Sequence, residues 1–402
     1  MKIRKLSIRG FRSLKDVTWV PGDLNVLIGP NASGKSNFLR GLELLQQAGT
    51  GDLDGSIVRQ GGIGSILWAN EVFGQIAWEL ELGIRSSSIT LPSFPPLPRP
   101  LESFSYELLL KPLGFTGYRI EREIFRGYLQ SGEGKGFKYL ERDQKEAILF
   151  DSDGNRIEAS PDRLETTQTI LSQTSRMFSR PEMFFFYTHL KRWGVYQDLN
   201  VYQDSPIRRA AITRRDTQLA SNGQNLIAAL HTLYTTDKDF KVDVNDAMRA
   251  AFGREFEALE FTPAEDQRIQ MRLQWKSFKA AHSAADLSDG TLRFLMLLAV
   301  LVKRSRGDLV AIDEPETGLH PSMFPIIAEF AAEASRSSQI IFTTHSPEFL
   351  TALGPHGPST TVVQAVDGET KLNVLDSEDL KRWLEKYRLG EMFLAGDLEA
   401  LA

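Results

Sequence analysis

The sequence predicts an α/β fold in which a parallel sheet carrying a phosphate loop forms the core, with an antiparallel β section and a helical lobe attached. Three observations predict it. Leu24-Asn25-Val26-Leu27-Ile28 is a β-rich run that stops at Gly29, and from Ser36 to Gln47 the residues Phe38, Leu39, Leu42 and Leu45 recur at helical spacing, giving strand, Gly-containing loop, helix. From Leu287 onward the chain reads helix, strand, helix, strand, the alternation of a parallel sheet. Between roughly residues 65 and 165, short alternating runs at 78–84, 106–110 and 118–124 with turn signals between them read as antiparallel strands.

Composition bounds the function. The 402 residues, 42% hydrophobic and 25% charged, suffice for one large or two to three small domains. A net charge of −5 excludes a polycation that coats nucleic acid or acidic lipid by charge alone, so any nucleic-acid contact must come from a local patch. The absence of Cys excludes disulfides, zinc–thiolate sites, iron–sulfur ligation and cysteine nucleophiles. The opening MKIRKLSIRGF lacks the apolar core of a secretory signal, and the longest apolar run, 294–302, falls short of the about 20 residues that cross a bilayer. The expectation is a cytoplasmic protein with no membrane span.

Taken in order, Lys5-Leu6-Ser7-Ile8-Arg9 alternates as a half-solvated strand, and Pro21-Gly22-Asp23 turns the chain into the phosphate-loop strand. The proline-rich stretch 91–100 can be neither helix nor central strand, which leaves a surface loop or a ligand for another domain. Helical patterns fill 162–252, with Leu226, Ala229, Leu230 and Leu233 on one face, and no sustained heptad predicts a coiled-coil arm. Residues 259–278 read as a strand pair, and the stretch from Ser377 as a helix through Leu380, Trp383, Leu384 and Tyr387, then a tail. The expected division is 1–64, 65–165, 166–280 and 281–402, the first and last completing one head.

Gly29-Pro30-Asn31-Ala32-Ser33-Gly34-Lys35-Ser36 satisfies GxxxxGK[ST] between strand and helix. Its backbone N–H groups and helix N-terminus would cradle phosphate, Lys35 would supply a cation to the β/γ-phosphates, and Ser36 a hydroxyl to Mg²⁺. A second strand, 308–312, ends in Asp313-Glu314-Pro315: one carboxylate to hold Mg²⁺, usually through water, and its neighbour to deprotonate an attacking water. A third strand, Gln339–Thr344, ends in His345, where ligands of open α/β sheets gather. Leu287-Ser288-Asp289-Gly290-Thr291 precedes an apolar helix, where either Ser288 and Gly290 form a second phosphate-binding end or Ser288 or Asp289 is a plain N-cap.

Together GPNASGKSN at 29–37, LSDGT at 287–291, IDEPETGLHP at 312–321, TTHSPEFL at 343–350 and the opening IRGFRSL at 8–14 resemble the ATP-binding-cassette (ABC) ATPase head, more closely its soluble RecF-like, structural-maintenance-of-chromosomes-like (SMC-like) and OLD-like branch. The resemblance implies an ABC-type head that binds ATP and Mg²⁺ and hydrolyses ATP to ADP and phosphate. It implies a nucleotide site at Gly29, Asn31, Ala32, Ser33, Gly34, Lys35, Ser36 and Asn37, with Arg12 touching the nucleotide. Ser36, Asp313 and Gln173 would hold the metal, Glu314 would be the general base, and Gln173 and His345 would sense the γ-phosphate; Gln168 lies close to Gln173. Two heads, as a homodimer or within a higher oligomer, would close face to face, each phosphate loop opposed by the partner's signature.

Departures narrow the branch. The roughly 250 residues between phosphate loop and signature exceed those of a compact transporter head, Asp289 and His320 replace usual transporter residues, and no NKxD-like reader points to GTP. About 55 residues follow His345, too few for the Toprim nuclease of OLD-like relatives, so a nuclease or toxin effector would be a separate chain. Two functions compete. One is a switch in DNA repair, chromosome maintenance or mobile-element and phage defence. In it Lys2, Arg4, Lys5, Arg9, Arg12, Lys15, Arg208, Arg209, Arg214 and Arg215 would contact double-stranded DNA rather than merely form solvated faces. The other is an ATP-driven scaffold that restrains a protein effector without touching DNA.

Overall fold

The computed structural model describes residues 1–68, 74–84, 101–114, 116–129, 136–144, 146–150, 154–158, 165–177, 181–302, 309–375 and 388–401. The proline-rich stretch and the helix expected through Leu380 to Tyr387 lie outside them.

The chain opens with β1 (Lys2–Phe11), β2 (Leu14–Trp19) and β3 (Leu24–Ile28), then α1 (Lys35–Thr50), α2 (Leu53–Arg59) and α3 (Ile63–Ile66). Six strands follow: β4 (Ile76–Gly83), β5 (Leu101–Leu113), β6 (Gly117–Leu129), β7 (Phe137–Asp143), β8 (Glu146–Phe150) and β9 (Arg156–Glu158). The helical lobe comprises α4 (Ile170–Met177), α5 (Pro181–Lys191), α6 (Leu226–Thr236) and α7 (Lys238–Phe252), with β10 (Gly194–Tyr196) and β11 (Ala211–Ile212) between α5 and α6. After β12 (Phe256–Ala264), β13 (Arg268–Trp275) and β14 (His282–Ser283) come α8 (Asp289–Leu301), β15 (Leu309–Asp313), α9 (Phe324–Ser335), β16 (Gln339–Thr344), α10 (Pro347–Leu353), β17 (Ser359–Val366) and β18 (Glu369–Val374).

These strands form three sheets. The core sheet runs β10-β15-β16-β3-β17-β18, parallel except for the β17–β18 hairpin. Every residue of β3 and β16 is buried, as expected of strands covered on both faces. Side-chain alternation splits them: Val26, Ile28, Ile340 and Phe342 enter one core with α8, α9 and α10, whereas Leu27 and Ile341 enter another with α1 and the strands of the second sheet.

The second sheet, β2-β1-β4-β5-β6-β7-β8-β9, is antiparallel throughout. It reaches across residue 64, because β1 pairs with β4 rather than with the phosphate-loop strand. Sheet and helix meet closely: Trp78 Nε1 donates to the Gly41 carbonyl at 3.1 Å, and a Cβ on Gly41 would stand 2.9 Å from Ile8 Cδ1. The strand pair expected at 259–278 is β12–β13 of the small third sheet, in which β13 is the central strand. Among the described residues, no helix is long and apolar enough to cross a membrane; the apolar run 294–302 instead makes up the body of α8 and its C-cap Val302, with its side chains in the core.

Candidate nucleotide site

The core sheet's register gathers the site. Tyr196 stands beside Ile312, Asp313 beside Thr343, and Thr344 beside Ile28. The residues that follow, Gln197, Glu314, His345 and Gly29, therefore leave the sheet at one edge, at the C-terminal ends of parallel strands.

At that edge the phosphate loop wraps into α1. Ala32 and Gly34 have φ of 64° and 106°, and Gly34 caps a helix whose first turn carries no acid, leaving its N–H groups and positive dipole end for an anion. A Cβ on Gly34 would overlap Thr370 Oγ1, and one on Gly29 the Val363 carbonyl, so the backbone sits where only glycine fits. Thr370 donates to the Ser33 carbonyl at 2.9 Å and to Ser13 Oγ at 2.7 Å, while Asn37 Nδ2 donates to the same Ser13 at 2.9 Å. Arg12 precedes that serine with φ 50°, and its guanidinium donates to Gln60 at 3.1 Å. Lys35 is buried, with Nζ donating to the Gly29 and Pro30 carbonyls at 2.7 and 2.9 Å. Burial pulls its pKa down; Glu314, Asp313 and Glu316 push it back up, so this lysine lies within the electrostatic reach of all three acids.

The acidic turn after β15 is tied to the end of β16. Thr343 Oγ1 donates to Asp313, and Glu314, at φ 46°, donates its N–H to the Thr343 carbonyl at 3.1 Å. His345 Nδ1 lies 3.0 Å from Glu314 Oε1. The imidazole and the carboxylate thus orient each other. Glu316 is buried, accepts from Thr344 Oγ1 and has a second oxygen with no partner among the described residues; burial raises its pKa.

Gln173 is not part of this cluster. Its Nε2 lies 3.4 Å from the Thr169 carbonyl, and Thr169 donates to the Ala48 carbonyl at 2.6 Å, at the far end of α1. At 1.5 Å per residue that is about 20 Å along the helix from Lys35. The glutamine at the sheet edge is Gln197, lining a small cleft with Asp313, Glu314, Thr317 and Arg293. Its Nε2 donates to Glu43 at 3.1 Å and its Oε1 is buried without a partner among the described residues. The only sequence signal for it was Trp193-Gly194-Val195-Tyr196, an apolar run too short for periodicity to reveal a strand.

The signature is a genuine helix N-terminus: Ser288 Oγ accepts from the Thr291 N–H at 3.2 Å. A Cβ on Gly290 would stand 2.7 Å from the Gly318 carbonyl, so this end abuts the turn that follows Glu314. Among the described residues no hydrogen bond or ion pair joins Ser288 or Gly290 to residues 29–36 of the same chain.

The basic clusters also change meaning. Arg208 is buried and ion-paired with Asp289, so it belongs to the signature rather than to a surface patch. Lys2 pairs with Asp23, Arg4 with Glu102 at 2.8 Å, Arg9 with Glu79 at 2.5 Å, Lys15 with Glu369 at 2.5 Å and Arg214 with Asp216 at 2.7 Å. Much of the expected positive field is locally cancelled.

The donor set fits a nucleotide with a divalent cation: an acid-free helix N-terminus, a buried lysine, and the uncommitted buried Oε1 of Gln197 beside Asp313. A family profile described as "AAA domain, putative AbiEii toxin, Type IV TA system" matches residues 24–351. No curated protein matches. A solved SmcHead bound to the C-winged helix domain of ScpA is similar with TM-score 0.59 at 15% identity, over 95% of this chain and 100% of that one. An Smc head with an extended coiled coil, bound to the C-terminal domain of ScpA and derived from Pyrococcus furiosus, gives 0.53 at 14%, over 96% and 98%. An Smc head with a coiled coil and joint derived from Pyrococcus yayanosii gives 0.50 at 10%, over 96% and 99%. With a profile match running from β3 into α10 and the head architecture throughout, the chain belongs to this AAA-domain family of P-loop ATPases and carries the ABC-type head fold of the RecF/SMC/OLD-like branch.

Proposed function

We propose that the protein is an ATP-driven molecular switch whose two copies close head to head around two nucleotides and whose hydrolysis of ATP reopens them. The observation that carries this reading is the convergence of Lys35, Asp313, Glu314, His345 and Gln197 at one edge of the parallel sheet. Lys35 and the N–H groups opening α1 would bind the β/γ-phosphates. Glu314, aligned by His345 Nδ1, would accept the proton of the attacking water. Ser36, Asp313 and Gln197 would hold Mg²⁺, which when bound neutralises phosphate charge. Among the described residues Ser288 and Gly290 make no hydrogen bond to the phosphate loop of their own chain, which supports their facing the partner's nucleotide.

For the biological role, the reading supported best is control of a separate protein effector in mobile-element or phage defence, DNA repair or chromosome maintenance. Cancellation of the basic residues by neighbouring acids favours a protein partner over direct double-stranded DNA binding. Glu314→Gln keeps the cradle and removes the base, so with ATP and Mg²⁺ it should accumulate as a dimer in light scattering; a monomer at saturating nucleotide refutes the face-to-face closure. ATP turnover should be indifferent to linear duplex DNA, and clear stimulation would restore the DNA-binding reading.

A further inference from the structure

Arg208 is a heavily engaged charge of the helical lobe. Its Nε donates to the Val201 and Tyr202 carbonyls at 2.9 and 3.2 Å, and Nη1 to the carbonyls of Leu287, Ala285 and Ala284 at 2.7, 3.3 and 3.4 Å. Nη2 meets Asp289 Oδ1. The guanidinium side chain is 7% exposed, whereas that of Asp289 is 57% exposed. A single planar fork thus joins the loop that descends from Gln197 to the loop that opens α8.

We propose that Arg208 is the positioning residue of the signature motif, and that Asp289 is its counter-charge. The proposal rests on the face-to-face reading above. A carboxylate at the first residue of α8, one position from Ser288 and Gly290, would oppose a triphosphate arriving there. Arg208 cancels that charge and holds the carbonyls of Ala284, Ala285 and Leu287 away from the anion, leaving the Ser288 hydroxyl and the helix N–H groups as the presented surface. Lysine cannot substitute, because one ammonium cannot span Val201, Leu287 and Asp289 at once.

The test is a double-mutant cycle in the Glu314→Gln background. Dimer dissociation constants are measured by sedimentation in ATP and Mg²⁺, and protomer affinity by titrating a fluorescent ATP analogue into dilute protein. Arg208→Lys is expected to weaken dimerisation about tenfold while protomer nucleotide affinity stays unchanged. With Asp289→Asn already present, the same substitution should cost less than about threefold. An equal penalty in both backgrounds, or none in either, overturns the pairing. If Glu314→Gln alone stays monomeric, the face-to-face reading falls and the positioning role with it; a dimerising Glu314→Gln insensitive to Arg208→Lys overturns the positioning role alone. Asp289→Asn changes only an exposed side chain and should speed amide exchange across 284–291. Unchanged exchange there overturns the proposal even if Arg208→Lys fails to fold.

Discussion

Glu316 is buried, whereas Asp313 and Glu314, three and two residues before it, are only partly so. Thr344 donates to one oxygen and His345 stands nearby, both favouring the ionised form, but burial outweighs them and raises the carboxyl above the ordinary carboxylate value. The sign follows from linkage. The folded chain holds this proton more tightly than the unfolded chain, so the contribution to stability is whole below the ordinary value and is lost as pH rises through the raised one. Glu316→Gln has the same shape and no titration. Its urea midpoint relative to the parent should therefore rise as pH climbs from the ordinary carboxylate range through the raised value. A difference constant across that range would show that the acid is not held protonated.

Among the elements, the short strand β10 decides which glutamine lies at the sheet edge beside Asp313. Its three residues lie beside β15, and that adjacency brings Gln197 to Asp313 while α4 carries Gln173 to the far end of α1. Gln197→Ala should lower ATP turnover by about tenfold or more, the scale of losing one group that orients the reacting water, and Gln173→Ala should leave it unchanged. The opposite ranking in steady-state assays would return the role to Gln173. The contrast also shows what the sequence makes legible. The phosphate loop and the acids after β15 announce themselves because strand, turn and chemistry are contiguous. The antiparallel section is legible by alternation, and α8 by its apolar run. Strand adjacency is non-local, however, so neither the pairing of β1 with β4 nor the placement of β10 beside β15 has a local signal. Arg208 misleads for the same reason: beside Arg209 it reads as a charged cluster, and only the fold reveals the carbonyls that surround it.

In the whole molecule, two sheets of different kinds must keep a fixed relation, because the β1–β2 turn of the antiparallel sheet holds Ser13 against Asn37 and Thr370, beside a phosphate loop that belongs to the parallel one. Gln339, the first residue of β16 and 1% exposed, is one of the ties. Its Oε1 accepts from the Ile3 N–H at 2.9 Å, and its Nε2 donates to the Ile3 and Gly22 carbonyls at 3.2 and 2.8 Å. The side chain thus joins Ile3 of β1 to the turn before β3, where it shares the Gly22 carbonyl with Asn25 Nδ2. Gln339→Leu keeps the bulk but takes this partner from the buried Ile3 N–H and carbonyl, while the Gly22 carbonyl keeps Asn25 Nδ2, at a cost of about 2 kcal/mol. The six residues of β16 separate this tie from the catalytic edge by roughly 20 Å. The variant should therefore show a lower urea midpoint with unchanged ATP-analogue affinity under native conditions. If affinity falls in step with stability, the relation between the sheets is set by the nucleotide site itself; if neither changes, Ile3 and Gly22 find other partners and Gln339 is not a tie.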